Sequence, residues 1–237
     1  MNVLILAAGP QAREDHAAYP VWLSEIDGRL VIERLVASLS IEDSSNFIFA
    51  LTKADIDEHH VNDIITQIAP NSTIIPIERQ TAGAACTALL AIGALDLEAE
   101  LIVASATDYV EADYSTIIQS FRDQKADVGL VTFESLHPRY AYIAVDETGW
   151  VVEAAEKRPI SRQASAGFYW YAKASDFVSS LQDMILKDAH VNGVFYISPS
   201  LNELVLAGRR ISGYHLEHDQ YHPLKDQRQV DQMGYRS

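Results

Sequence analysis

Between residues 2 and 133, short apolar runs alternate with segments of helical period, and this alternation restricts the fold more than any other feature. Residues 2–6, 47–51, 73–77, 101–105 and 128–133 read as strands, with 2–6 apolar enough to be covered on both faces and 47–51 likewise buried. Residues 30–39 set Leu30, Ile32, Leu35, Val36 and Leu39 close to helical spacing. Residues 55–68 set Val61, Ile64, Ile65 and Ile68 on one side, and 84–95 and 114–125 read as further helices. Strands alternating with helices imply βαβ units. The expected fold is therefore α/β, with a mainly parallel (mixed) central sheet and helices on both faces. Ligands of such sheets bind beyond the carboxyl ends of the strands. The segments to read for function are 9–13, 52–53, 78–83 and 106–109.

From residue 134 the pattern changes. Residues 140–145 and 149–154 predict a hairpin turning at Asp146-Glu147-Thr148-Gly149. An aromatic strand follows at 167–172, then helices at 175–187 and 199–207, a strand at 211–216 and a short helix near 227–233. No repeat and no Pro/Gly/Ser linker interrupts the chain. Its 237 residues read as a single domain with two halves, 1–133 and 134–237.

The 33 acidic residues against 18 basic ones give a net charge of −15, which repels nucleic acid and argues against such a partner. The same charge repels nucleoside triphosphates, so a site for them needs a local basic cluster, a helix N-terminus or a divalent metal. The lone Cys86 cannot form an intrachain disulfide and reads as packing. Residues 1–8 are apolar but lack a basic leader and run into Arg13-Glu14-Asp15, so they read as a buried strand and not a signal peptide. The next apolar stretch, 88–95, is too short to span a bilayer. A cytoplasmic protein without membrane insertion is the expectation.

Residues 4–13 read Leu-Ile-Leu-Ala-Ala-Gly-Pro-Gln-Ala-Arg. This resembles the opening signature of the sugar-1-phosphate nucleotidylyltransferases, Leu-Ala-Ala-Gly-x-Gly-x-Arg. Other segments agree in order and spacing over roughly residues 1–230. Tyr19-Pro20 with Leu23, Asp27 and Gly28 is similar to the family's Pro-Lys-Pro-Leu segment and Asp-Gly turn. Gln80-Thr81-Ala82-Gly83-Ala84-Ala85 is similar to its nucleobase segment. Glu156-Lys157-Arg158-Pro159 resembles Glu-Lys-Pro, and Gly167-Phe168-Tyr169 resembles Gly-Ile-Tyr. Three positions depart. Val21 stands where the family has a lysine, Gln11 replaces the loop's second glycine, and His222 or Pro223 falls where a late aspartate is usual.

The resemblance implies a Rossmann-like GT-A nucleotidyltransferase fold, with 1–133 binding nucleotide and 134–237 binding the acceptor. It implies transfer of a nucleotidyl group from a nucleoside triphosphate to a sugar phosphate, or a similar small phosphate, with loss of pyrophosphate. Surface polysaccharide precursor synthesis is the implied setting. Arg13, Asp108 and Lys157 are the implied catalytic residues, with Asp108 also the metal ligand for Mg²⁺. Leu6, Ala7, Ala8, Gly9, Gln80, Gly83 and Ala84 would line the nucleotide, and Glu156 and Gly167 the sugar or phosphate. Tyr109, just after the fourth strand, Asn192 and Lys225 join that second group as candidates.

The residues allow other roles too. Asp108 could cap a helix or turn, Arg13 is partly cancelled by Glu14 and Asp15, and Lys157 could simply pair with Glu156. Asn192-Gly193 could bond a sugar phosphate or form a turn, and Arg139, His222 and Lys225 could supply the cation that Val21 does not. A non-catalytic nucleotide- or nucleotide-sugar-binding relative and a glycosyltransferase of related fold stay open, as does a homo-oligomer.

Overall fold

The computed structural model describes residues 1–9, 19–42, 44–217 and 219–234. Its elements, in chain order, begin with β1 (Asn2–Leu6), β2 (Glu25–Ile26), β3 (Arg29–Leu30), α1 (Val31–Leu39) and β4 (Asn46–Thr52). Next come α2 (Lys53–His59), α3 (Val61–Ile68), β5 (Thr73–Ile77), α4 (Ala84–Leu89), β6 (Leu101–Ser105) and β7 (Asp108–Val110). Then follow α5 (Tyr114–Asp123), β8 (Val128–Glu134), β9 (Ala141–Val145), β10 (Val151–Glu156) and β11 (Gln163–Tyr171). The chain continues through α6 (Ala174–Leu186), α7 (Leu201–Leu206), β12 (Ile211–His215), β13 (Tyr221–Pro223) and α8 (Gln227–Gly234).

The main sheet is nine-stranded, running β10-β9-β11-β6-β1-β4-β5, with β8 beside β11 and β12 beside β8. β1 pairs in parallel with β4 and β6, and β4 with β5. β11 enters antiparallel to β6 and β8, which makes the sheet mixed and joins the two halves of the chain. This is the expected α/β architecture.

Strand alternation sorts the core onto the two faces. Ile102 and Ala104 of β6 and Phe168 and Trp170 of β11 fall in one buried cluster with Ile32, Leu35 and Phe121. Leu101, Val103, Tyr169 and Tyr171 fall in the other, with Phe177, Leu181 and Leu201. Helices α1, α3 and α5 thus cover one face, and α4, α6 and α7 the other. The aromatic run 168–171 is strand packing throughout, each side chain buried.

Three expectations change. The helix of 55–68 is two helices. His60 sits in the left-handed region (φ 50°), and its N–H closes α2 onto Ile56 O at 3.1 Å. The helix of 84–95 stops at Leu89 and passes into one 3-10 turn, Ile92–Ala94, around the helix-weakening Gly93. The third change matters most for function. The tail adds a strand, β13, antiparallel to β7, with Pro223 opposite Asp108 and Tyr221 opposite Val110. Among the described residues no helix is long and apolar enough to cross a membrane.

Candidate functional site

The rim beyond β1 is made by parallel pairing. Ala7 N–H donates to Ala50 O at 3.0 Å, and Leu6 O accepts from Ala106 N–H at 3.0 Å. Leu6 and Ala8 are half-buried and Ala7 is buried. Gly9 is exposed, and among the described residues a Cβ built on it would meet nothing within 4 Å. Arg13 lies outside the described residues.

Next to this rim, the tip of β6 turns through Thr107 into β7. Asp108 is half-buried and its two oxygens are held separately. Tyr221 Oη donates to Oδ1 at 2.6 Å, and Lys225 Nζ donates to Oδ2 at 2.5 Å. The same ammonium donates to Thr107 Oγ1 at 2.8 Å. The β7–β13 ladder sets up this meeting, and Leu224 N–H fastens the following turn by donating to Thr107 O at 2.8 Å. Tyr221 stacks on Phe133 with ring centres 4.1 Å apart. Its burial, together with the adjacent carboxylate, pushes the phenol well above its ordinary pKa, so it remains a donor.

Gly167 explains itself against Asp108. Its φ is +75°, and a Cβ there would lie 3.0 Å from Asp108 Oδ2. Glycine permits both the irregular step in β11 between Ser165 and Tyr169 and the close approach of the carboxylate.

The second group gathers at the end of β10. Lys157 has φ 56°, and its N–H donates to Tyr140 O at 2.9 Å. Its ammonium donates to Tyr196 Oη at 2.6 Å and sits 4.8 Å from that ring's centre. The bond to Tyr196 is the main cause that raises the lysine's pKa, so it stays charged. Glu156 accepts from Ser198 Oγ at 2.7 Å, and burial pushes its carboxyl above the ordinary value. The two groups are linked. Tyr140, held by Lys157, lies edge-on to Tyr221 at 6.1 Å, and Tyr169 feels the charges of both Glu156 and Asp108.

Residues 80–85 are stapled to the loop that carries Tyr196. Phe195 N–H donates to Ala82 O at 2.7 Å, and Ala85 N–H donates to Phe195 O at 3.1 Å. A Cβ on Gly83 would lie 2.4 Å from Phe195 O, so only glycine fits. Thr81 and Thr87 share a hydroxyl bond of 2.7 Å that holds the turn, while Gln80 and Ala84 stay exposed.

Two candidates have evident structural settings of their own. Tyr109, one residue on from Asp108 in β7, lines a cavity of about 350 Å³ with Ile26, Arg34, Glu111 and the candidate His222. Strand alternation turns it away from Asp108. Asn192 (φ 52°) and Gly193 (φ 78°) form the tight turn of a Val191–Val194 bridge, which accounts for both residue types. His222 pairs with Glu111 at 3.2 Å, not with Asp108.

Sequence reasoning missed Tyr196, Ser198, Thr107 and Tyr221. A lone tyrosine or serine carries no pattern, and only the β7–β13 ladder could have singled out Tyr221. Val21, at the lysine position of the resemblance, is 8% exposed and packs in the core beside the fully buried Trp22.

A resident divalent metal needs several oxygen ligands around one point. Here Asp108 has both oxygens engaged, the residue opposite it is a proline, and among the described residues no three His, Cys, Asp or Glu side chains group to hold an ion. The residues as arranged do not fit a resident Mg²⁺.

An open, mainly parallel α/β sheet with charged residues at its strand tips belongs to the class of proteins that hold ligands in the crevice beyond the carboxyl ends of the strands. Within that class, the chain belongs to the nucleotidyl transferase family, whose model matches residues 27–194. No curated protein matches it by sequence. Solved structures share its fold at low identity. The nucleoside-diphosphate-sugar pyrophosphorylase from Vibrio cholerae RC9 is similar at TM-score 0.80 and 20% identity, with 100% of both chains covered. A UDP-glucose pyrophosphorylase complexed with UDP-glucose gives TM-score 0.77 at 14% identity, covering 99% of this chain and 97% of that one. The inositol-1-phosphate CTP transferase from T. maritima gives 0.75 at 12%, covering 99% and 93%.

Proposed function

We propose that this protein transfers a nucleotidyl group from a nucleoside triphosphate to a sugar phosphate, or a similar small phosphate, and releases pyrophosphate. The observation that carries this reading is the continuous set of contacts at the strand tips, from Lys157 through Tyr140 and Tyr221 to Asp108 and Lys225, beside the open rim at Gly9. Leu6–Gly9, Gln80, Gly83 and Ala84 would meet the nucleotide. Lys157, Glu156 and Gly167 would meet the acceptor phosphate and its sugar.

In the reaction an acceptor phosphate oxygen attacks the α-phosphorus. The new P–O bond forms as the bond to the bridging oxygen breaks, and that electron pair leaves with pyrophosphate. The nucleophile is already an anion, so no proton need be removed. The protein's work is to hold mutually repelling anions in line. Lys157, braced by Tyr196, suits the acceptor phosphate. Glu156, its carboxyl braced by Ser198, suits a sugar hydroxyl. Mg²⁺ enters this reading with the triphosphate, as that substrate's own counter-ion. The products would feed surface polysaccharide synthesis in the cytoplasm, where nucleoside triphosphates are made.

A binding protein without turnover is the second reading, favoured by one observation, the burial of Val21 where the resemblance has a lysine. A pyrophosphate-release screen with CTP, UTP, GTP and dTTP across sugar phosphates decides between them. Release with one pair supports transfer. Nucleotide binding by titration calorimetry with a silent screen supports the second reading.

A further inference from the structure

Lys225 occupies the one place at Asp108 that a cation would need. Asp108 keeps 10% of its side chain exposed, whereas Lys225 keeps 48%. The carboxylate is therefore a buried base and the ammonium its solvent-facing cover. A carboxylate this enclosed requires a cation and hydrogen-bond donors, and Lys225 with Tyr221 supplies both. An ammonium has three N–H donors. Among the described residues Lys225 spends two, on Asp108 and Thr107, and keeps one for a ligand. Across the ladder, Pro223 brings no side-chain carboxylate with which to build a metal site.

We propose that Lys225 is the resident cation of this site and grips the phosphate ligand directly, so that anion binding there needs no divalent ion. The proposal rests on the reading of the rim as a phosphate site. It goes further by naming the cation and by fixing the sign of the Asp108 charge. A divalent ion on Asp108 would leave a net charge of +1, and the Lys225–Asp108 pair leaves zero. In the lysine arrangement Asp108 weakens the grip on an anion while it positions the ammonium. In a metal arrangement Asp108 would be the anchor on which anion binding depends.

Calorimetric titration of the full chain with inorganic pyrophosphate, in EDTA and again in excess Mg²⁺, tests this. Wild type should bind in EDTA. Asp108→Asn keeps the acceptor for Tyr221 and frees the ammonium's charge, so it should bind roughly tenfold more tightly, and Lys225→Met, with its bare carboxylate, about tenfold more weakly. Melting curves report whether each variant folds. If Lys225→Met does not, the wild-type comparison and Asp108→Asn still decide. Binding that requires Mg²⁺ and disappears in Asp108→Asn overturns the proposal and leaves nucleotidyl transfer standing. Silence in both buffers also overturns it, and the pyrophosphate-release screen then judges the broader reading by itself.

Discussion

Val21 illustrates how one side chain separates lineage from chemistry. It is packed in the core, so a lysine at this position would have to bury its stem and strain its ammonium toward water. Val21→Lys should lower stability by roughly 2 kcal/mol, about 5 °C in melting temperature, and should not raise turnover. A gain in pyrophosphate release would mean that the rim still expects a cation there. Lys157 makes the opposite case, because its ammonium is exposed and held by Tyr196. Lys157→Ala should raise the acceptor's KM roughly tenfold or more and change the nucleotide's KM little. Equal losses for both substrates would remove it from the acceptor side. Glu156 gives a test in pH. Burial raises its folded pKa above the unfolded value, so its contribution to stability is complete at acid pH and is lost as pH rises through the folded value. Glu156→Gln should therefore melt higher than wild type at neutral pH, and the gain should fade below the ordinary carboxylate range. A difference that stays constant across that range would contradict the burial argument.

At the scale of elements, the segment 80–85 and the loop around Phe195 behave as one piece. Gly83 sits at φ +129° with Phe195 O where a Cβ would go, so Gly83→Ala must part the two segments. A loss of about 3 kcal/mol, with weaker nucleotide binding in calorimetry, is the expected result. Unchanged melting would mean that the staple is loose. Such elements also mark how far the sequence could be read. The strands β1, β4, β6 and β8 were legible because burial on both faces leaves an apolar run that needs no partner to be recognised, and the edge strand β5 was legible from its β-branched run alone. Gly9 and Asp108 were legible as residues that follow such runs, whereas Lys157 and Gly167 were singled out only by the resemblance. The pairing of Lys225 with Asp108 was not, because it depends on β13 finding β7 across more than a hundred residues, and a three-residue strand has no period. Nor was the break at His60, where a left-handed residue ends a helix whose apolar spacing runs on through Ile65 and Ile68. Tyr109 shows the same limit from the other side: position in the chain put it next to Asp108, and strand alternation turned it away.

The whole molecule sets the conditions under which the rim works. A net charge of −15 repels every substrate in the proposed reaction until it reaches the lysines. Repulsion of this kind is long-ranged and screened by salt, so the association rate of a nucleoside triphosphate should rise as ionic strength goes from about 0.01 to about 0.15 M. Stopped-flow binding would show it, and a falling rate would reveal a basic funnel that outweighs the total charge. The account stands on the rim beyond β1 being the seat of the nucleotide's phosphates, beside Lys225. The most direct measurement is a crystal structure grown with the nucleoside triphosphate that calorimetry selects. It should show the phosphates beside Gly9 with an oxygen on Lys225 Nζ. Phosphates seated away from that rim, or a rim filled by the protein's own side chains, would contradict it.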